Sequence, residues 1–318
     1  MPPRLRPLAI AVAAVAVSLT GHASAAPDRA TDRPHCFGAA ARDPQRQPCV
    51  NPALRLSVEP SPDAALLEPA APCKVLERDP EVCAFGVRAA RARATVALVG
   101  DSHAVHWRAP LDRIARRKRW HALTLYRSEC PFNSRTPRLR EPKQSQCVRW
   151  NGRVVDWLED HPEVRTVFVS NHTRGGVETK RGEDPFEARM GGFVGAWRAL
   201  PRSVRHIVVI RDPFYIATNT HSCVRRAIAR RREAGTACAL RRDHALKDDA
   251  AIAAAGRMNP ARVQTIDLTR FMCDAELCYP VVGGALVKKD AGHFTRLFAT
   301  TLAPYLRRSL NRLMRSWR

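Results

Sequence analysis

Two short stretches of the 318-residue sequence combine residue types that could perform nucleophilic chemistry. Gly100-Asp101-Ser102-His103 directly follows an apolar run, and Asp290-Ala-Gly-His293 stands just before the last helical pattern. A glycine lets the chain turn sharply out of a strand. A serine placed next sits where a helix begins, and there free N–H groups and the helix dipole favour developing negative charge. Its hydroxyl is a weak nucleophile and needs a positioned base. His293 can take the Ser102 proton, while Asp290 on the same turn can hold the imidazole in the right tautomer and stabilise the imidazolium. The order Ser, Asp, His is one of several in which such triads occur. Each stretch alone also has a plain reading, because Asp and Ser cap helices and build turns, and a DxxH can be a cap plus a surface histidine. The argument rests on their conjunction: a nucleophile after the first strand and a base before the last helix.

The remaining histidines near these stretches point elsewhere. His103 and His106 have helical i, i+3 spacing, but neither an HExxH motif nor a nearby carboxylate set accompanies them. Helix packing or pocket lining is the expected role, with no metal and no cofactor. Asp101 is expected to cap the helix or brace the nucleophile turn. His172 reads as a loop histidine, with contact to substrate beside Asn171 as its other reading.

The elements that must position these groups alternate. Thr95–Val99, Trp120–Tyr126, Val164–Ser170, Val204–Ile210 and Arg262–Asp267 read as strands, several of them continuously apolar. Ala104–Arg119, Val148–Glu159, Met190–Leu200, Val224–Glu233 and Phe294–Leu313 read as helices. The alternation predicts an α/β fold with a parallel central sheet covered on both faces, a three-layer α/β/α sandwich. Reactive groups in such sheets gather at the carboxyl ends of the strands. Residues 27–94 read as an irregular, proline-rich segment tied down by disulfides, ahead of a domain over 95–318.

Met1–Ala26 has the form of a secretory signal: Arg4 and Arg6, an apolar core over Leu8–Leu19, and the small-residue site Ala23-Ser24-Ala25. That places the mature protein in the periplasm, the cell envelope or the medium; an uncleaved anchor is the other reading of the stretch. An even count of ten cysteines fits export and disulfides, and no CxxC suggests a metal ribbon. Cys36, Cys49, Cys73, Cys83, Cys130, Cys147, Cys223, Cys238, Cys273 and Cys278 fall as near neighbours, which suggests five local loops closed in order. The formal charge of +23 attracts acidic partners. The runs Arg116–Arg119 and Arg230–Arg232 read as solvated faces, and no nucleic-acid motif accompanies them, so an anionic wall polymer or a lipid headgroup is the expected neighbour.

VALVGDSHAVHW resembles the first block of SGNH hydrolases. A closer likeness is to the SGNH domains attached to acyltransferase-3 membrane proteins. It includes Ser128-Glu-Cys-Pro131, IRDPF at Ile210–Phe214, the CYPVVGGALVKKDAGHFT stretch from Cys278 to Thr295, and the cysteine-bearing segment before Thr95. The resemblance covers roughly Cys36 to Leu313. It implies a flavodoxin-like SGNH fold, with Ser102 as nucleophile, His293 as base and Asp290 as its orienter. Enzymes of this kind also offer a Gly and an Asn as oxyanion donors. Asn171 is the candidate Asn, with a turn residue as its other reading; the Ser102 backbone N–H is the other expected donor, and the Gly has no clear counterpart. No acyltransferase-3 membrane domain accompanies the chain, so an acyl donor delivered through the membrane must come from a separate protein.

The expected function is therefore serine-dependent acyl-ester hydrolysis or O-acyl transfer on a cell-envelope glycan, through an acyl-enzyme on Ser102. A non-catalytic glycan-binding module on the same fold is the alternative.

Overall fold

In the computed structural model, residues 33–45 and 49–317 are described. The stretch read as a secretory signal lies outside them. No helix among the described residues is long and apolar enough to cross a membrane.

The centre is a seven-stranded sheet built from β1 (Lys74–Arg78), β2 (Glu81–Gly86), β3 (Ala94–Gly100), β4 (Trp120–Tyr126), β5 (Val164–Ser170), β6 (His206–Ile210) and, after a two-residue β7 (Leu240–Arg241) outside it, β8 (Val263–Ile266). The order is β1-β2-β4-β3-β5-β6-β8. The last five of these strands run parallel, with β3 at the switch point between β4 and β5. Only β1 and β2 are antiparallel to their neighbours.

Period two explains why both faces bury. Val96 and Leu98 of β3, Phe168 of β5, and Val208 and Ile210 of β6 enter one core. Ala97 and Val99, Val167 and Val169, and Ile207 and Val209 enter the other. Each large apolar side chain so buried contributes roughly 1.5–3 kcal/mol. The first core is roofed by α3 (Arg108–Lys118), α10 (Arg296–Thr301) and α11 (Ala303–Arg315), through Leu111, Ile114, Phe298, Leu306 and Leu310. The second is covered by α4 (Lys143–Asp160), α5 (Pro185–Ala199) and α9 (Ala250–Ala255), through Trp150, Val154, Phe193 and Trp197. These are the two outer layers of an α/β/α sandwich.

Three differences from the sequence reading have physical causes. Lys74–Gly86, placed in an irregular approach segment, forms two sheet strands; β1 is exposed along its whole length and shows no apolar periodicity. The helix expected over Ala104–Arg119 is broken into α2 (Ser102–Val105) and α3, where Pro110 cannot donate to the carbonyl of His106. The helix expected over Phe294–Leu313 starts later, at a Thr295 cap, and divides before α11, which has a proline in its first turn.

The disulfides are Cys36–Cys49, Cys73–Cys83, Cys130–Cys147, Cys223–Cys238 and Cys273–Cys278, each closing a local loop. No described cysteine is free. Five such bridges fit a protein that matures in an oxidising, extracytoplasmic compartment. The arginines of Arg116–Arg119 are exposed and sit on or just past the last turn of α3, where cations oppose the helix dipole.

Candidate active site

β3 ends at Gly100, between Tyr126 of β4 and Ser170 of β5. Its φ is +151°, and a Cβ there would lie 2.0 Å from the Ser170 carbonyl oxygen, so no other residue fits this turn. Asp101 follows as N-cap of α2, accepting from the His103 N–H at 2.9 Å. Its other oxygen accepts from the His172 N–H at 2.8 Å, tying the Ser102 turn to the loop after β5. Burial pushes the Asp101 carboxyl up from its ordinary range, against the opposing pull of His103. Asp101 thus performs both roles considered for it. Ser102 opens α2 and carries one of the N–H groups that a helix leaves without an intrahelical acceptor.

Asp290 and His293 lie on a tight hairpin ahead of α10. Lys288 and Phe294 form its bridge, and the Lys289 N–H donates to the His293 carbonyl at 3.0 Å. The Asp290 carboxylate accepts from His293 Nδ1 at 2.9 Å and also from the Gly292 and His293 N–H groups, at 3.0 and 2.7 Å. Burial raises the Asp290 carboxyl, but the hydrogen bonds and charge of His293 outweigh it and hold the group well below its usual range. On the far side of the ring, the Ser102 hydroxyl donates to His293 Nε2 at 2.9 Å. Carboxylate, imidazole and hydroxyl therefore form one continuous hydrogen-bonded line between residues 191 apart in the chain.

Asn171 is the first residue after β5 and is 2% exposed. Its Oδ1 accepts from the Phe132 N–H at 2.9 Å, which fixes which end of the amide is the nitrogen. Its Nδ2 is buried without a partner. An unpartnered buried amide donor is costly unless something transient uses it. The Ser128–Pro131 loop gains a purpose from this contact: Cys130–Cys147 pins it to α4, and it presents Phe132 to Asn171.

Beneath the line lies a polar network that the sequence reading did not assemble. His103 is fully buried and donates from Nδ1 to Asp212 at 2.5 Å. Asp212 also accepts from the Tyr215 hydroxyl at 2.5 Å and the Thr173 N–H at 2.9 Å, while its own N–H donates to Asp249 at 3.0 Å. Burial raises the Asp212 carboxyl, yet His103 and the hydrogen bonds bring it below its ordinary value. The Arg189 guanidinium binds the His172 and Thr173 carbonyls. His172 packs edge-on to His103 and Tyr215, and burial together with the neighbouring His103 lowers it to about 4, so it is neutral near pH 7. Asp212 belongs to the IRDPF stretch singled out in the sequence, but nothing in that stretch names its partner 109 residues upstream.

Ser102 and His293 open into a cavity of about 50 Å³. Val105, His106, Ala109 and Phe294 form part of its wall, Glu68–Ala71 from the N-terminal segment form another part, and Lys289 and Arg296 complete it. In the sequence, that segment has a share in the resemblance but no part in the site. His106 lines the cleft, as expected for a pocket residue. His103, His106 and Asp212 carry ligand-type atoms within 4.8 Å of one another, but Asp212 is already committed to His103 Nδ1. His35 also lies near Cys36 and Cys49, whose sulfurs are bonded to each other.

Comparison with known proteins agrees with this architecture. No curated protein matches the chain. The periplasmic domain of a lipopolysaccharide acetyltransferase from Salmonella ser. Paratyphi A superposes with a TM-score of 0.54 over 71% of this chain and 90% of that one. At 12% identity this likeness speaks to the fold. The sequence family described as the SGNH domain fused to AT3 domains matches residues 70–308, and the chain belongs to that family.

Proposed function

We propose that the protein is an exported serine acyl-transfer enzyme acting on ester-linked acyl groups of a cell-envelope glycan. The observation that carries this reading is the continuous line Asp290–His293–Ser102 at a cleft on the carboxyl edge of the sheet. Ser102 Oγ attacks the acyl carbonyl as His293 Nε2 takes its proton. The carbonyl oxygen becomes an oxyanion, which Asn171 Nδ2 and the Ser102 N–H receive. Collapse breaks the ester bond, and His293 returns the proton to the departing alkoxide. The acyl-enzyme then passes its acyl group to water or to a sugar hydroxyl by the same steps in reverse order.

The small cavity beside Ser102 suits a short acyl group. The positive surface suits an anionic wall polymer as acceptor or donor. Transfer draws its acyl group from an ester donor or from a membrane partner that hands one over, and Met1–Ala26 acts as the export signal.

The test is to incubate purified mature protein with a labelled acetyl ester, with and without an acceptor polysaccharide. Release of acetate alone assigns hydrolysis; label on the glycan assigns transfer. Fluorophosphonate should modify Ser102. Glycan binding that survives Ser102→Ala, with no turnover and no labelling in the wild type, would replace catalysis with simple recognition.

A further inference from the structure

Lys288 is 0% exposed. A lysine so placed is unusual, because desolvating an ammonium group costs several kcal/mol and an apolar side chain of similar volume would fill the space more cheaply. Its Nζ donates to the Gly292 carbonyl at 2.5 Å, spanning the hairpin that carries Asp290 and His293. The ammonium lies 4.5 Å from the centre of the Phe294 ring and 5.5 Å from that of Phe214. Gly292 is pressed from the other side: a Cβ there would come within 2.9 Å of His103 Nε2 and 3.3 Å of Tyr215. The peptide between the two members of the acid–base pair is thus gripped between the buried histidine and the lysine.

We propose that Lys288 is a positioning residue for the reaction, fixing the Asp290–His293 hairpin through its ammonium bond to the Gly292 carbonyl. The proposal rests on the assignment of Ser102 and His293 as the reacting pair. Lys288 touches no reacting atom; it acts on the distance between His293 Nε2 and Ser102 Oγ.

The groups around it set when the bond is charged. Asp212 and Tyr215 face it from the loop after β6, Asp290 from its own hairpin, and His106 from the end of α2. His221, at the start of α6 (Thr220–Ala229), engages only the Lys288 carbonyl, at 3.0 Å. Burial lowers Lys288 from 10.5 to about 7, with Asp212 and Asp290 pulling the other way. Deprotonation weakens the donor, so the hairpin loosens as pH rises through that value.

The linkage has a definite sign. Between pH 7 and 10.5 the unfolded chain holds the Lys288 proton and the folded chain does not, so fold stability rises with pH across that window. Catalysis and stability therefore run in opposite directions above neutrality.

The experiment is the rate of fluorophosphonate labelling of Ser102 against pH, in wild type, Lys288→Arg and Lys288→Gln, with melting temperatures at each pH. Wild type should lose about tenfold in labelling rate between about pH 7 and 9, while Lys288→Arg, charged throughout, keeps its rate within about twofold. Lys288→Gln should be about 10–100-fold slow at every pH and show no alkaline fall, since a displacement of about 1 Å has that cost. If Arg does not fold in the space, the Gln profile alone decides. A wild-type rate that stays level or climbs to about pH 9, an Arg variant with the wild-type decline, or a Gln variant at full rate overturns the proposal. Absence of labelling in wild type at every pH strikes the Ser102 assignment itself.

Discussion

Ser102 and His293 meet at 2.9 Å, yet the two side chains are held in different ways. The nucleophile turn grows out of a strand locked on both sides by parallel neighbours, and Asp101 staples it to the loop after β5. His293 rides on a hairpin outside the sheet, held by a few backbone bonds, a carboxylate that caps its own loop, and one buried lysine. His293 is also more exposed than Asp101 or His103 behind the nucleophile. The contrast teaches that the proposed triad is half rigid by topology and half rigid by side chains. Changes to the supports of the two sides should therefore fail differently: those at Gly100 or Asp101 through the fold, those on the hairpin chiefly through rate.

The largest effect removes a reacting group from either side. Ser102→Ala and His293→Ala should each lower ester turnover by about 10⁴-fold or more, with the melting temperature unchanged, as read by ester kinetics beside thermal unfolding. Asp290→Asn tests the hairpin's own support and should cost about 10²–10⁴-fold in kcat, again without a large change in stability. Equal losses in all three would show that the orienter matters as much as the base.

Asn171→Ala probes the strand-end side and should cost about 10²–10³-fold in kcat with KM little altered. Asn171→Asp sharpens the reading, since it keeps an acceptor for the Phe132 N–H and puts an anion where the oxyanion forms. It should be at least as slow as the alanine variant. Full activity in Asn171→Asp would remove this residue from the oxyanion site.

The smallest change in rate should come from the double variant Cys130→Ala with Cys147→Ala. Opening that loop should lower stability by about 3 kcal/mol in urea unfolding, but slow turnover only several-fold. The contact it supports, Phe132 with Asn171, is one bond removed from the chemistry.

The strands were legible because burial on both faces writes them as apolar runs. Trp120–Tyr126 and Val164–Ser170 have the same bounds in sequence and structure. The polar residues after β3 and before α10 stood out for the same reason, as reactive types where the apolar pattern stops. The supports were not legible. Asp212 and Tyr215 matter through partners that the fold brings from distant parts of the chain, and no spacing rule links His103 to a carboxylate 109 residues away. Lys288 bonds a carbonyl only four residues on, but its complete burial is set by the fold and not written in the sequence. β1 escaped notice because an exposed edge strand carries no periodic signal.

Glu68–Ala71 line the cleft although they precede the sheet altogether. Glu68 is fastened at both ends of its residue: its carboxylate accepts from the Arg296 and Leu297 N–H groups that open α10, and its carbonyl accepts from Lys289 Nζ at 3.2 Å. The surface that would meet the acyl group in the proposed reaction is therefore partly tailored by a ribbon that owns none of the reacting atoms. Selectivity and reactivity can then drift independently, and trading the alanines of that ribbon for larger or smaller residues would retune which esters enter while leaving the proton path as it is.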